Sequence, residues 1–136
     1  MIKKYCFILL TVILFSNAFS TKANTGNIQL KATSCKMAEC LHPKNGFVFK
    51  STPKEIPFNK DSFVLNFNRK TFRWTDSKGS SDNKMYDVQN ISSGYTFKTE
   101  HHYVRLIKTS ESIAILGIII SSNDNWYYLE FKCNIN

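Results

Sequence analysis

The chain has 136 residues, with 18 Lys and Arg against 10 Asp and Glu, a formal net charge of +8. That length holds one domain around one core. The basic residues are scattered and no block of five like charges occurs, which points away from nucleic acid as a partner.

The first element in chain order is an export signal. Met1-Ile2-Lys3-Lys4 is basic, residues 5–15 are apolar apart from Thr11, and small residues follow Ser16-Asn17. The pattern is that of a cleavable signal peptide over residues 1–23, cut after Ala23, with Ser20 as the second choice. The apolar run has 11 residues, short of the roughly 20 that span a bilayer. No later run is long enough either, so the expected product, residues 24–136, has no transmembrane segment and is periplasmic or secreted. Residues 1–23 carry Lys3, Lys4 and Lys22 and no acid, which leaves 15 basic and 10 acidic residues, a net +5.

Residues 24–136 are expected to fold as a single small β domain. Residues 28–32 alternate like a strand. Residues 34–46 contain Pro43 and the turn signal Asn45-Gly46, and suggest a loop with one helical turn at 36–39. Residues 47–50 suggest a short strand, and 52–61, with Pro53 and Pro57, an irregular connection.

Phe63, Leu65 and Phe67 sit on odd positions, and Phe72 and Trp74 on even ones. A hairpin turning at Asn68-Arg69-Lys70-Thr71 accounts for the switch, with Phe67 opposite Phe72 and Leu65 opposite Trp74. Residues 76–83 are rich in Ser, Gly, Asp and Asn and suggest an exposed loop. Residues 85–91 suggest a further strand. Tyr95, Phe97 and Thr99 are followed by Val104 and Leu106, again with parity switched. A turn at residues 100–103 would set Thr99 opposite Val104 and Phe97 opposite Leu106, and a bulge at the histidines would fix the parity too.

Residues 113–120 are apolar and rich in Ile, as in a strand covered on both faces. Residues 121–125 carry turn chemistry. In the last strand Tyr127, Leu129, Phe131, Cys133 and Ile135 form an inward face, and Trp126, Tyr128, Glu130, Lys132 and Asn134 an outward one. The sum is a mainly β fold: an antiparallel meander of about eight strands forming a small barrel or sandwich.

After export three cysteines remain, Cys35, Cys40 and Cys133. An oxidising compartment favours one disulfide, Cys40–Cys133, with Cys35 as the alternative partner. Cys35, Cys40 and His42 do not have zinc-site spacing, so no metal or other cofactor is expected.

Catalytic signals are sparse. The Ser pairs at 80–81, 92–93 and 121–122 lack a nucleophile-elbow context. His101 and His102 are adjacent, and neighbouring strand residues point to opposite faces. The favoured reading is a non-catalytic binding module for a protein or a small ligand. Its candidate contact residues are Trp126, Tyr128 and Lys132 on the outward face of the last strand, and Arg73 on another; the plainer reading of that face is packing under a loop such as 34–46 or inside a barrel wall. The alternatives are an extracytoplasmic enzyme using His101 or His102 with a carboxylate such as Glu100, and a structural envelope-associated protein. Intact-mass measurement of the exported protein checks the first element: the mass should correspond to a chain starting at Asn24, and a mass retaining residues 1–15 would mean an anchor.

Overall fold

A computed structural model describes residues 26–136. The expected signal peptide lies outside these described residues. The strands are β1 (Asn27–Cys40), β2 (Lys54–Ile56), β3 (Ser62–Asn66), β4 (Thr71–Asp76), β5 (Gly79–Lys84), β6 (Tyr86–Ile91), β7 (Gly94–Lys98), β8 (Tyr103–Lys108), β9 (Ile113–Ser122) and β10 (Asn125–Ile135). All ten belong to one sheet in the order β5-β4-β3-β1-β10-β9-β8-β7-β6, with β2 paired to β1. There is one sheet, so the architecture is not a sandwich. It is a meander curled into a half-barrel, with the first long strand paired to the last.

The strand that organises the sheet is β1. Its register against β10 shifts between Ala32 and Ser34, where one extra residue forms a bulge. The bulge resets the alternation, so Leu30 and Ala32 before it and Cys35 after it all reach the main core. One edge of β1 pairs with β10 from Leu30 to Cys40. The other pairs with β3 over Asn27 to Lys31 and with β2 over Cys35 to Met37. Residues 34–40 are therefore strand, where loop and a helical turn were expected. The Pro-flanked β2 and the Ser-rich β5 are also strands that composition concealed. Residues 47–50 form no strand of their own; Phe49 makes an isolated bridge to Cys40.

Both central hairpins keep the expected parity but pair two residues away from the expected register. Phe63 lies opposite Trp74 and Leu65 opposite Phe72. Phe97 lies opposite Val104 and Tyr95 opposite Leu106. The cause is the same at both ends: a residue that could have extended the ladder has a better partner elsewhere. Phe67 leaves β3 to stack on Tyr95, with ring centroids 4.3 Å apart. Thr99 leaves β7 so that its Oγ1 accepts from the backbone N–H of His102 at 3.0 Å. A shift of two residues preserves which face points inward, so the core composition survives it. The β9–β10 hairpin closes through Asn123 and Asp124, with φ of 51° and 64°. Two successive positive φ values give the turn type whose twist matches the strands, and Asn and Asp tolerate them.

The concave face carries the core. Phe63, Leu65 and Phe72 from one wall meet Phe97, Leu106, Leu116, Ile118 and Phe131 from the other. Phe72 on β4 and Phe97 on β7 are 5.5 Å apart although their strands lie far apart in the sheet order. Their contact shows that the sheet curls until its walls touch. The edges β5 and β6 do not pair. The chain crosses between them through Met85 alone, which is 1% exposed. Its N–H donates to the Lys70 carbonyl at 2.7 Å. Charged residues Asp82, Lys84 and Asp87, and a register shift between Tyr86 and Gln89, interrupt these edges against further strand pairing.

Phe72 should be the most costly wall contact to remove. Phe72→Ala is expected to lower unfolding free energy by about 3–5 kcal/mol, read as a shift in the urea midpoint at unchanged slope. A loss below about 1 kcal/mol would mean that the walls do not depend on this contact.

Candidate functional site

The convex face is bare sheet over most of its area, but at one end it is covered. There Tyr128 points outward from β10, opposite Ile119 of β9 and Ala38 of β1. It is nonetheless only 1% exposed. The cover is residues 41–50, a strap that leaves the end of β1 and doubles back. A short 3-10 turn at Pro43–Asn45 reverses it, with the His42 Nδ1 accepting from the Lys44 N–H at 3.1 Å. Gly46 follows at φ 85°, a left-handed conformation that glycine adopts without strain. The two legs of the strap are joined by Leu41 N–H donating to the Val48 carbonyl, 2.9 Å, and the return leg is tied to β1 by Lys50 N–H donating to the Glu39 carbonyl, 2.8 Å, and by the Phe49–Cys40 bridge.

Phe47 and Phe49 set their rings on Tyr128, with centroids 6.0 and 4.4 Å away. Beneath it lies Gly117 of β9, where a Cβ would come within 2.5 Å of the Tyr128 ring. The glycine that interrupts an otherwise Ile-rich strand is therefore there to admit the tyrosine. Trp126 extends the cluster, with His42 4.8 Å away edge-on and Tyr103 at 6.3 Å. Arg105 of β8 places its guanidinium 4.3 Å from the Phe47 ring. The Tyr128 hydroxyl donates to Glu130 Oε2 at 3.0 Å. Burial, reinforced by the Glu130 charge, pushes the Tyr128 hydroxyl up to about 12, with Arg105 opposing.

The outer side of the strap has a different character. Leu41, Val48 and Phe49 are 39%, 42% and 37% exposed. Among the described residues six large hydrophobic side chains are exposed, and four of them, Met37 included, fall between positions 37 and 49. The other two, Tyr86 and Ile91, lie on the edge strand β6. The strap itself contains Lys44 and Lys50 and no acidic residue.

The four contact residues expected from sequence do not converge. Trp126 and Tyr128 belong to the strap cluster. Lys132 is four residues beyond Tyr128 along β10, roughly 14 Å at the rise of an extended strand. Arg73 lies on β4, with β3 and β1 between it and β10. It is engaged by Asp82 through two hydrogen bonds of 2.7 and 3.2 Å. Phe47, Phe49, Tyr103 and Arg105 complete the cluster and were not foreseen. Their one sequence sign was the alternation of Phe47 and Phe49 directly after Asn45-Gly46.

The histidines diverge as well. The His101 side chain is 71% exposed and lies 3.9 Å from Glu100. His102 turns toward Trp74, with centroids 5.6 Å apart, and its Nδ1 lies 3.2 Å from Thr99 Oγ1. Burial, followed by the neighbouring His101, depresses the His102 imidazole below its ordinary value. His102 borders an open depression of about 350 Å³ with Asp76. The Asp76 carboxylate is occupied in accepting from the Lys78 N–H at 2.8 Å. Among the described residues no group of three or more His, Cys, Asp or Glu side chains could hold a metal ion.

The cysteine expectation needs correction. Cys35, Cys40 and Cys133 are all buried free thiols. Cys40 belongs to the convex-face cluster beside Tyr128, whereas Cys133 belongs to the concave core. Cys40 pairs with Trp126, seven residues along β10 from Cys133. That is roughly 23 Å of strand, against the Cα separation below about 7 Å that a disulfide requires. Cys35 is nearer, diagonal to Cys133 across the β1–β10 ladder, but unbridged to it. Burial pushes the Cys35 thiol up to about 11 and the Cys133 thiol to about 12.

Comparison of the chain with known protein families, with curated proteins and with solved structures finds no match.

The thiols and Tyr128 give a signed pH dependence. Their protons leave the unfolded chain first, since their native values are raised from 9.0 and 10.0. Stability from these groups is complete below pH 9.0 and is lost as pH rises toward 12. Denaturant midpoints should therefore fall across this window, and more shallowly for Cys133→Ala than for the wild type. Parallel slopes in the two proteins would show that Cys133 is not a source of the alkaline loss.

Proposed function

We propose that the protein is an exported, non-catalytic binding module, periplasmic or secreted, whose contact surface is the outer side of the strap. The observation that carries this reading is the concentration of exposed apolar side chains there: Leu41, Val48 and Phe49 within one ten-residue segment. Contiguous apolar exposure is uncommon on soluble surfaces and marks places where something docks. The strap is also pre-organised. Backbone hydrogen bonds to β1 and aromatic packing on Tyr128 hold it in place, so a partner need not order it on binding.

Two features argue against a small-ligand cavity and against an enzyme built on the histidines. The concave face, which in a barrel would hold a small ligand, is filled by aromatic and aliphatic side chains. His101 and His102 point to different neighbours, and Glu100 stands with the exposed one.

Association with components of the native envelope, protein and lipid together, provides the test. Leu41→Ser/Val48→Ser should weaken retention by roughly tenfold or more, as for loss of a hot-spot pair, while leaving the melting temperature near that of the wild type. His101→Gln/His102→Gln should retain full association. Undiminished retention by the strap variant would move the contact surface elsewhere, and loss in the histidine variant would revive the catalytic alternative.

A further inference from the structure

Resting on the strap as the contact surface, we propose that what it docks against is an anionic lipid surface. Three observations converge on this partner. The first is local composition. Residues 41–50 contain no acidic side chain and two lysines, and the large apolar side chains exposed among them are Leu41, Val48 and Phe49. Apolar side chains that enter an interface, with lysines beside them at the level of the phosphates, are the pattern of interfacial attachment. On the same face of the sheet Lys36 of β1 lies between Glu130 of β10 and Glu55 of β2, and Glu39 and the turn residue Asp124 are the other acids nearby.

The second is the placement of amphipathic rings. Trp126 and His42 pack against each other at the base of the strap, and both retain some exposure or border exposed residues. Rings with an apolar body and a polar edge are favoured at the boundary between hydrocarbon and headgroups. The third is the field of the domain. Residues 24–136 carry a net +5, which draws the molecule toward a negative surface before any contact is made. Among the described residues no helix is long and apolar enough to cross a membrane. An acidic protein would meet the same lysines, but a fluid lipid boundary accepts the exposed Leu41 and Val48 side chains without a matching pocket.

The test uses the purified exported protein and two kinds of vesicle, phosphatidylcholine alone and phosphatidylcholine mixed with phosphatidylglycerol. Co-sedimentation should favour the anionic vesicles by roughly tenfold or more and weaken with added salt. Tryptophan emission should shift to the blue on binding, because Trp126 lies at the base of the strap. Val48→Asp should abolish sedimentation. Leu41→Ser/Val48→Ser, which spares the packing of Phe49 on Tyr128, should reduce it about tenfold with circular dichroism unchanged. Lys44→Gln/Lys50→Gln should reduce binding and flatten its salt dependence.

Equal sedimentation with both vesicles, or anionic binding that Leu41→Ser/Val48→Ser leaves intact, overturns the proposal. If no vesicle is bound while strap-dependent retention by a protein component of the envelope persists, the lipid assignment falls and the contact surface stands. If neither vesicles nor envelope components respond to the strap variants, both fall.

Discussion

Pairing between β1 and β10 is the constraint on which the rest of the molecule depends. Nearly every other ladder joins strands that follow one another closely along the chain; this one joins residues about a hundred positions apart. It turns a string of hairpins into a curled sheet and brings the two walls of aromatic side chains within contact. Closing so long a loop has an entropic cost, but that cost grows only slowly with length. The ladder is correspondingly long, running from Leu30 to Cys40 on one strand and from Ile135 to Trp126 on the other. The bulge after Ala32 lets a strand of this length bend with the sheet while keeping Leu30, Ala32 and Cys35 on the core side.

The same ladder also supports the strap. β10 presents Phe131 and Cys133 to the concave core and Tyr128 to the convex cluster, so one strand serves two packed layers. The second layer is small, and its stability rests on fit more than on area. Tyr128 is held between Gly117 below and Phe47 and Phe49 above. A larger residue at 117 would lift the ring and with it the strap. The exposed apolar side chains of the strap are thus tied directly to the longest ladder of the fold.

Much of the fold could be read from alternation alone. Residues 113–135 declared their strands, their turn and the core-facing Phe131 and Cys133, because a half-buried strand leaves a two-residue period that no competing interaction erased. Hairpin registers were less legible. Phe67 and Thr99 have the right parity to extend their ladders, and only the tertiary partners Tyr95 and the His101–His102 turn draw them away. Residues 34–40 were mistaken for loop because the bulge breaks the period there. β5 was concealed by composition, since a strand exposed on both faces needs no apolar residue. At the site, Trp126 and Tyr128 were visible as an outward aromatic pair. Packing of that face under a loop such as 34–46 was the plainer expectation, and Tyr128 is indeed covered, by residues 41–50, along a return path set by Pro43 and Gly46. The Cys40–Cys133 bridge failed for a related reason: chain separation carries no information about which face of a sheet each thiol occupies.

The crossing at Met85 also decides how the molecule yields. No ladder joins β5 to β6, so the seam between them is held by side chains, among them Phe72 against Phe97 and Phe67 against Tyr95. Widening it breaks apolar contact but no row of hydrogen bonds, whereas parting β1 from β10 breaks a ladder along its whole length. Rigidity therefore grades across the sheet, from a stiff spine at β1, β10 and β9 to two compliant margins. The strap rests on the spine through Tyr128 and moves with the stiff part of the sheet, while Phe47 over Arg105 of β8 links it toward the β6 margin.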